Sequence, residues 1–340
     1  MSGNALQKSL TDTLPTKTSH RLKGHRGSVA SVAFHPFNDI LVSGAEDGLI
    51  KLWDLESGDC LQSLKGHFKC VNEVCWSSDG KLLGNFSTLK RIATGSSDAT
   101  IKLWRDECAS SQMECIKTLM GHDDTISSLI FSKDSNFLYS ASKDQTVRVW
   151  DLRAGFSVAT LEHTDWVRSL DLSGDSILAT ACNHVRLSIM PHSTQNVLVW
   201  DLQDSDIQAE LRGHSHVVDC VAFLPTGIKI KEQKEESLNT HSSYLVSGSR
   251  DKTIILWNWT HQQALRTLTG HDNWIRDLCF YNKYLVTVSE DKTARVWDLE
   301  LDQVIKVYRD LHLKYLSCVH SSKRKLAIGS VDESISILSL

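Results

Sequence analysis

Apolar and polar residues alternate along short stretches of this chain, with a turn after each stretch. The first full cycle shows the pattern: Ser28 to Phe34 alternates, Ile40 to Ser43 forms a second short run, Asp47-Gly48 marks a tight turn, and Leu49 to Trp53 forms a third. Period-two alternation bounded by turn residues is the pattern of β-hairpins. A fourth run, Cys60 to Leu64, leads into the next Gly-His pair. On this reading each repeat gives three strands to one blade and an outer strand to the next.

The cycle recurs. Gly24-His25 pairs with Trp53-Asp54, Gly66-His67 with Trp104, Gly121-His122 with Trp150-Asp151, and His163 with Trp200-Asp201. Gly213-His214 follows with Trp257, Gly270-His271 with Trp297-Asp298, and His312 with Leu338 where a Trp should stand. A period of about 40 to 45 residues carrying these two marks predicts four-stranded propeller blades. The fold expected is therefore all-β, a seven-bladed WD40 β-propeller spanning residues 19–340, after a disordered start over residues 1–18. Length alone favours two domains, but in a ring each blade buries its faces against two neighbours, so one domain can exceed the usual size. The chain ends on an alternating run, Ser334 to Leu340, and its ordered part begins with Ser19 to Leu22. Pairing the first strand with the last blade closes the ring and removes its free edges.

Within the blades, a Trp, an acid six residues before it, a hydroxyl four before the acid and the loop His recur as sets. They are His25, Ser43, Asp47 and Trp53; His67, Thr94, Asp98 and Trp104; and His122, Ser140, Asp144 and Trp150. Two more are His214, Ser247, Asp251 and Trp257, and His271, Thr287, Asp291 and Trp297. Ser, His and Asp together invite a nucleophile, base and orienter reading. Five copies around one ring point instead to buried networks in which the four groups satisfy one another, so no catalytic residue is assigned. The fourth blade has no Asp six before Trp200, and residues 183–195 form an insertion; a rival register places Met190 in the Trp slot, but the Trp-to-His spacing favours Trp200. In the seventh blade Ile328 and Leu338 replace hydroxyl and Trp while Asp332 remains, which predicts a blade held by apolar packing without the polar network.

Composition narrows the function classes. The net charge of −4 argues against a generally nucleic-acid-binding surface. Nine scattered cysteines show neither paired metal spacing nor a disulfide framework and indicate a reducing, intracellular setting; Cys70 and Cys75 fall in an alternating strand where a buried thiol is ordinary. No metal or cofactor is expected. The polar first eighteen residues lack an apolar signal core, and no run approaches the roughly 20 apolar residues of a membrane span.

One face departs from the acidic whole. The Gly-His loops and Asp turns open on the same side of a propeller, and the residues flanking the turn Asp include Lys143, Arg250, Lys252 and Lys292. Five residues past the His stand Arg168 and Arg276, each two after an indole, Trp166 and Trp274, on the same side of the strand. Blades three to six thus gather cations and aromatics, a surface suited to an acidic partner; phosphopeptide capture by the arginines is a sharper variant.

Segments Glu210–Cys220, Val246–Ile254, Leu268–Arg276 and Glu290–Asp298, with Trp166–Arg168, Gly329–Asp332 and the insertion after Phe223 that includes the charged run Lys229–Glu236, resemble the propeller of the lissencephaly-1 family, called nuclear distribution protein F in fungi. The resemblance covers residues 21–340 and is most specific in blades three to seven. It implies a non-catalytic regulator that binds the cytoplasmic dynein motor domain, with a NudE-type adaptor as further partner. The implied roles are microtubule-based transport, nuclear positioning and spindle orientation, in the cytoplasm at microtubules and spindle poles. The family's dynein-contacting positions fall on Lys143, Arg168, Arg250, Trp274 and Lys292, with Trp166, Lys252 and Arg276 in the same sector; Lys143 stands where the family usually carries Arg, keeping the charge but losing the bidentate fork. Animal relatives also serve as the noncatalytic subunit of an acetylhydrolase, which the resemblance does not carry over by itself. The family's N-terminal dimerisation motif and coiled coil are not visible in the first eighteen residues. Either a propeller-only piece or a divergent short form would explain this, and both predict a monomer. The alternative to a dynein regulator is a phosphopeptide-reading scaffold or ubiquitin-ligase substrate receptor.

Overall fold

The computed structural model describes residues 14, 17–77, 91–106, 112–183, 197–228, 230 and 242–339. They form seven four-stranded antiparallel sheets, each meandering outward from a central channel. Blade one is Val29–Phe34, Ile40–Ala45, Ile50–Asp54 and Cys60–Leu64. Blades two to six repeat this order, and blade seven joins Leu316–Ser321, Lys325–Ser330 and Ser334–Ser339 to Lys17–Lys23 from the start of the chain. The ring is closed by that first strand, paired from Lys23 opposite Ser334 to Lys17 opposite Ser339.

Two expectations need correction. Cys60–Leu64 completes the blade that precedes it, pairing with Ile50–Asp54, rather than opening the next. The sequence repeat is offset by one strand from the blade, so a repeat begins with the outer strand of the blade before it. The closing strand also begins at Lys17 rather than Ser19, and Leu14 is buried in the apolar cluster between blades six and seven. Of the start expected to be disordered, residues 1–13, 15 and 16 lie outside the described residues, as do 184–195 of the fourth-blade insertion and all but Ile230 of the charged run Lys229–Glu236.

The core is distributed. Seven apolar clusters each fill the space between two adjacent blades, and the Trp of one blade usually anchors the seam on one side. Trp53, for example, packs with Val29, Leu41, Ala327 and Ile337 between blades seven and one. Second-strand glycines let the next blade approach: a Cβ on Gly44 would stand 2.6 Å from a Val71 methyl. Each buried aliphatic side chain contributes on the order of 1.5 to 3 kcal/mol, so stability accrues around the ring and depends on every seam being filled. In blade four Trp200 occupies the Trp position, opposite Leu178, as the spacing predicted.

Because Leu22 fills the seam between blades seven and one at 2% exposure, deleting residues 1–23 should lower the thermal midpoint of the whole ring by several degrees and broaden the transition, read by circular dichroism. Leu22→Ala should cost about 2 to 4 kcal/mol in urea unfolding. A truncated chain that melts like the parent contradicts closure by the first strand.

Candidate functional site

The histidines, hydroxyls, acids and indoles assemble as read from their offsets. In blade one, Trp53 Nε1 donates to Ser43 Oγ at 2.8 Å, the Ser43 hydroxyl donates to His25 Nε2 at 2.7 Å, and His25 Nδ1 donates to Asp47 at 3.0 Å. The sets of blades two, three, five and six repeat this with every distance between 2.6 and 2.9 Å. A single neutral imidazole tautomer satisfies the whole chain. Gly213 lies against it so closely that a Cβ would stand 2.8 Å from Trp257 Cη2. Ser43, Thr94, Ser140, Ser247 and Thr287 are all 0% exposed, so no substrate can reach the hydroxyl that a nucleophilic reading requires.

The carboxylate at the end of each chain ties the Gly-His loop to the Asp turn. Asp251 accepts from the backbone N–H of Ser215 in the loop and Thr253 in the turn, and from the Thr253 hydroxyl. A Thr two residues after the acid does the same at Thr100, Thr146 and Thr293. Burial opposes ionisation of Asp98, but hydrogen bonds from Thr100, His67 and the Phe68 amide outweigh it and hold the carboxyl down at about 2. The same balance holds Asp144, Asp251 and Asp291 well below the ordinary range.

The two irregular blades each keep half of the network. Blade four keeps the inner half, with His163 Nε2 and Trp200 Nε1 both on Thr180 Oγ1 at 3.0 and 3.3 Å, and burial lowers His163 to about 4. Blade seven keeps the outer half, which corrects the expectation that its polar network is gone. His312 Nδ1 donates to Asp332 at 3.0 Å, Ser334 takes the place of the turn Thr, and Arg21 of the closing strand bonds Asp332 at 3.0 Å. With Ile328 in the hydroxyl position, His312 Nε2 is left buried without a hydrogen-bond partner.

The basic sector grows out of a backbone irregularity. Every innermost strand breaks register at its second residue, which gives bulges at Ala30, Asn72, Ser127, Arg168, Asp219, Arg276 and Ser317. A bulge re-aims its side chain, and here three of them reach the first residue of the next blade. Asn72 donates to the Ile126 carbonyl, Ser127 to that of Val167 and Ser317 to that of Val29. In blades four to six the same positions carry charges, and Arg168 and Arg276 both reach Asp219, at 3.2 and 3.4 Å.

Asp219 also takes a bidentate pair from Arg250, whose Nε and Nη2 lie 2.9 and 3.2 Å from its two oxygens. In blades three and five the residue before the turn Asp stacks on the indole of the following blade: Arg250 lies 4.4 Å from the Trp274 ring centre and Lys143 4.9 Å from that of Trp166. Arg168 approaches the Trp166 ring at 5.9 Å and donates to Asn183, the first residue of the insertion, at 3.2 Å. Arg276 faces Glu290 at 3.9 Å. Burial lowers the Arg168 guanidinium, Arg250 and Arg276 add to that, and Asp219 opposes it. The structure thus gathers Lys143, Trp166, Arg168, Arg250, Trp274 and Arg276 into one connected group. Lys252 and Lys292 stand apart from it, exposed at the turn tips with left-handed φ of 72° and 67°. Sequence reading missed Asp219, although it stands five past its His, the same offset that picked out Arg168 and Arg276.

A family model described as WD domain, G-beta repeat matches residues 16–54, 58–105, 113–151, 236–258 and 262–298. The chain is 35% identical over 332 residues to "Nuclear distribution protein PAC1" of Arthroderma otae, covering 90% of this chain and 67% of that protein. It is 34% identical over 342 residues to "Nuclear distribution protein nudF 1" of Talaromyces marneffei, covering 93% and 71%. With "Nuclear distribution protein nudF" of Aspergillus niger the identity is 33% over 280 residues, covering 79% and 58%.

Asp144→Asn should lower stability at pH 7 by about 1 to 3 kcal/mol in urea unfolding, by weakening a buried charged acceptor. Because the native carboxyl titrates below its unfolded value, the Asp144 contribution is complete above that value and is lost as pH falls toward the native one. Parent and variant should therefore differ fully at pH 6 and begin to converge only as pH falls below about 4; a pH-independent difference, or none, contradicts the assignment. A non-Gly residue at left-handed φ is strained, so Lys292→Gly should raise stability by about 0.5 to 1 kcal/mol. A fall in the unfolding midpoint would show that Lys292 supports the turn.

Proposed function

This chain belongs to the lissencephaly-1 / nuclear distribution protein family of WD40 propellers, and we propose that it is a non-catalytic regulator in the dynein pathway of nuclear positioning. It binds the cytoplasmic dynein motor domain through Lys143, Arg168, Arg250, Trp274 and Lys292, with Trp166, Lys252 and Arg276 alongside, and works in the cytoplasm on microtubules. The names of the relatives support the nuclear-positioning part of this reading. The burial of the hydroxyls in the repeated sets argues against their use as nucleophiles.

The observation that carries the contact face is the stacking of Arg250 on Trp274 and Lys143 on Trp166, with three arginines gathered on Asp219. Cations fixed on indoles lose little side-chain freedom when a partner arrives, and interface energy concentrates in Trp and Arg anchors of this kind. An acidic patch on the motor would meet a cationic sector on an otherwise acidic protein. Lys252 and Lys292, at strained turn tips, extend the sector outward.

The test is retention of the chain on an immobilised dynein motor domain. The parent should be retained, Arg250→Glu with Lys292→Glu should lose at least tenfold in affinity, and Lys292→Gly should bind more weakly although its fold is no less stable. Equal retention of parent and double variant would remove the face assignment, and no retention of the parent would remove the function.

A further inference from the structure

The cationic sector poses an electrostatic problem that its own residues leave unsolved. Asp219 shares its two oxygens among three guanidiniums: one oxygen faces Arg168 and Arg250, the other Arg250 and Arg276. Counting Lys143 on the Trp166 ring, Glu290 against Arg276 and Asp165, whose charge acts on Arg168, four cations meet three carboxylates. The Asp219 side chain is 5% exposed, and Arg168 and Arg250 are 20% and 17% exposed. Water therefore screens the repulsion among the guanidiniums poorly.

The cations cannot relieve that repulsion by swinging out. Arg168 and Arg276 spring from bulges in the innermost strands, Arg250 is clamped between Asp219 and the Trp274 ring, and Lys143 rests on Trp166. Lys143, Arg168, Asp219 and Arg276 all line the central channel, as do Glu46 and three carboxyls that burial raises, Glu73 to about 8, Asp171 to about 6 and Asp277 to about 7. Planar forks held in place, half dry and short of counter-charge form a receptor for a strong oxyanion. A single carboxylate offers two acceptor oxygens, one fewer than the three cations that line the channel. A phosphoryl group carries about −1.5 to −2 at neutral pH and offers three acceptor oxygens, enough for Arg168, Arg276 and Lys143 together.

We propose that the channel mouth between Lys143, Arg168 and Arg276 binds a phosphoryl group, supplied by a phosphorylated side chain or by a free polyphosphate. The proposal rests on the same face as the motor contact and makes that face responsive to phosphorylation. Asp219 then acts as an internal counter-charge that presets the arginines and limits affinity.

Isothermal titration calorimetry on the intact chain, with no motor present, tests this. The probes are inorganic pyrophosphate and a short phosphoserine peptide with uncharged flanks. The parent should bind at least one; Arg276→Gln and Lys143→Gln should each weaken binding about tenfold, and Asp219→Asn should tighten it several-fold because an opposing charge is gone. Thermal melts report whether each variant is folded, and the two glutamine variants serve as independent checks. Tighter binding of the peptide assigns the site to a phosphorylated partner, and tighter binding of pyrophosphate to a free polyphosphate. No heat from the parent with either probe at millimolar concentration, or parent-like binding by both glutamine variants, overturns the proposal. Because the motor is absent, a chain that is retained on the motor but ignores phosphate sinks this inference alone.

Discussion

Everything on the functional face hangs from the hydrogen-bonded chain of indole, hydroxyl, imidazole and carboxylate buried in five of the seven blades. It begins at a Trp in the seam between blades and ends at an Asp that clasps the Gly-His loop to the turn. Indole, hydroxyl and imidazole lie out of reach of water and the carboxylates are only 5 to 9% exposed, so losing one group leaves another buried and unpaired. That makes the arrangement hard to vary. The residues on either side of the clasp are free to change, and their positions are fixed to the blade by its geometry.

The second constraint is the inner edge of each blade. An innermost strand has no neighbour on its channel side, and its backbone groups need partners. The bulged second residue answers this in blades two, three and seven by reaching a carbonyl of the next blade. In blades four to six the same stitch is made with charges, through Arg168, Asp219 and Arg276. The cationic sector is thus a local variation on a structural device. Closure follows the same economy, since Arg21 of the first strand reaches Asp332 of the last blade.

Much of this was legible in the sequence, and the exceptions have physical causes. The sets built on Trp53 and its counterparts could be read because a buried relay tolerates only one spacing. Ring closure could be read because alternation at both ends left one strand missing. The outer strand Cys60–Leu64 was assigned to the wrong blade because repeat and blade are offset by one strand. Blade seven looked apolar because Ile328 and Leu338 erase the inner half of its network, although His312 and Asp332 keep the outer half, with Arg21 of the closing strand added from 291 residues earlier. Asp219 escapes a reading based on positive charge, because it shares the position of Arg168 and Arg276 but not their sign. Arg250 meeting Trp274 is a contact between blades, which no offset within one repeat reveals.

The buried chains aim the variable residues. Amide hydrogen exchange in Asp251→Asn, compared with the parent, tests this most directly. Exchange should be faster only in the loop 213–217 and the turn 249–253, the segments joined by that carboxylate, with the far-side loop 299–302 unchanged. Unchanged protection at Ser215 and Thr253, whose amides both bond Asp251, would contradict it.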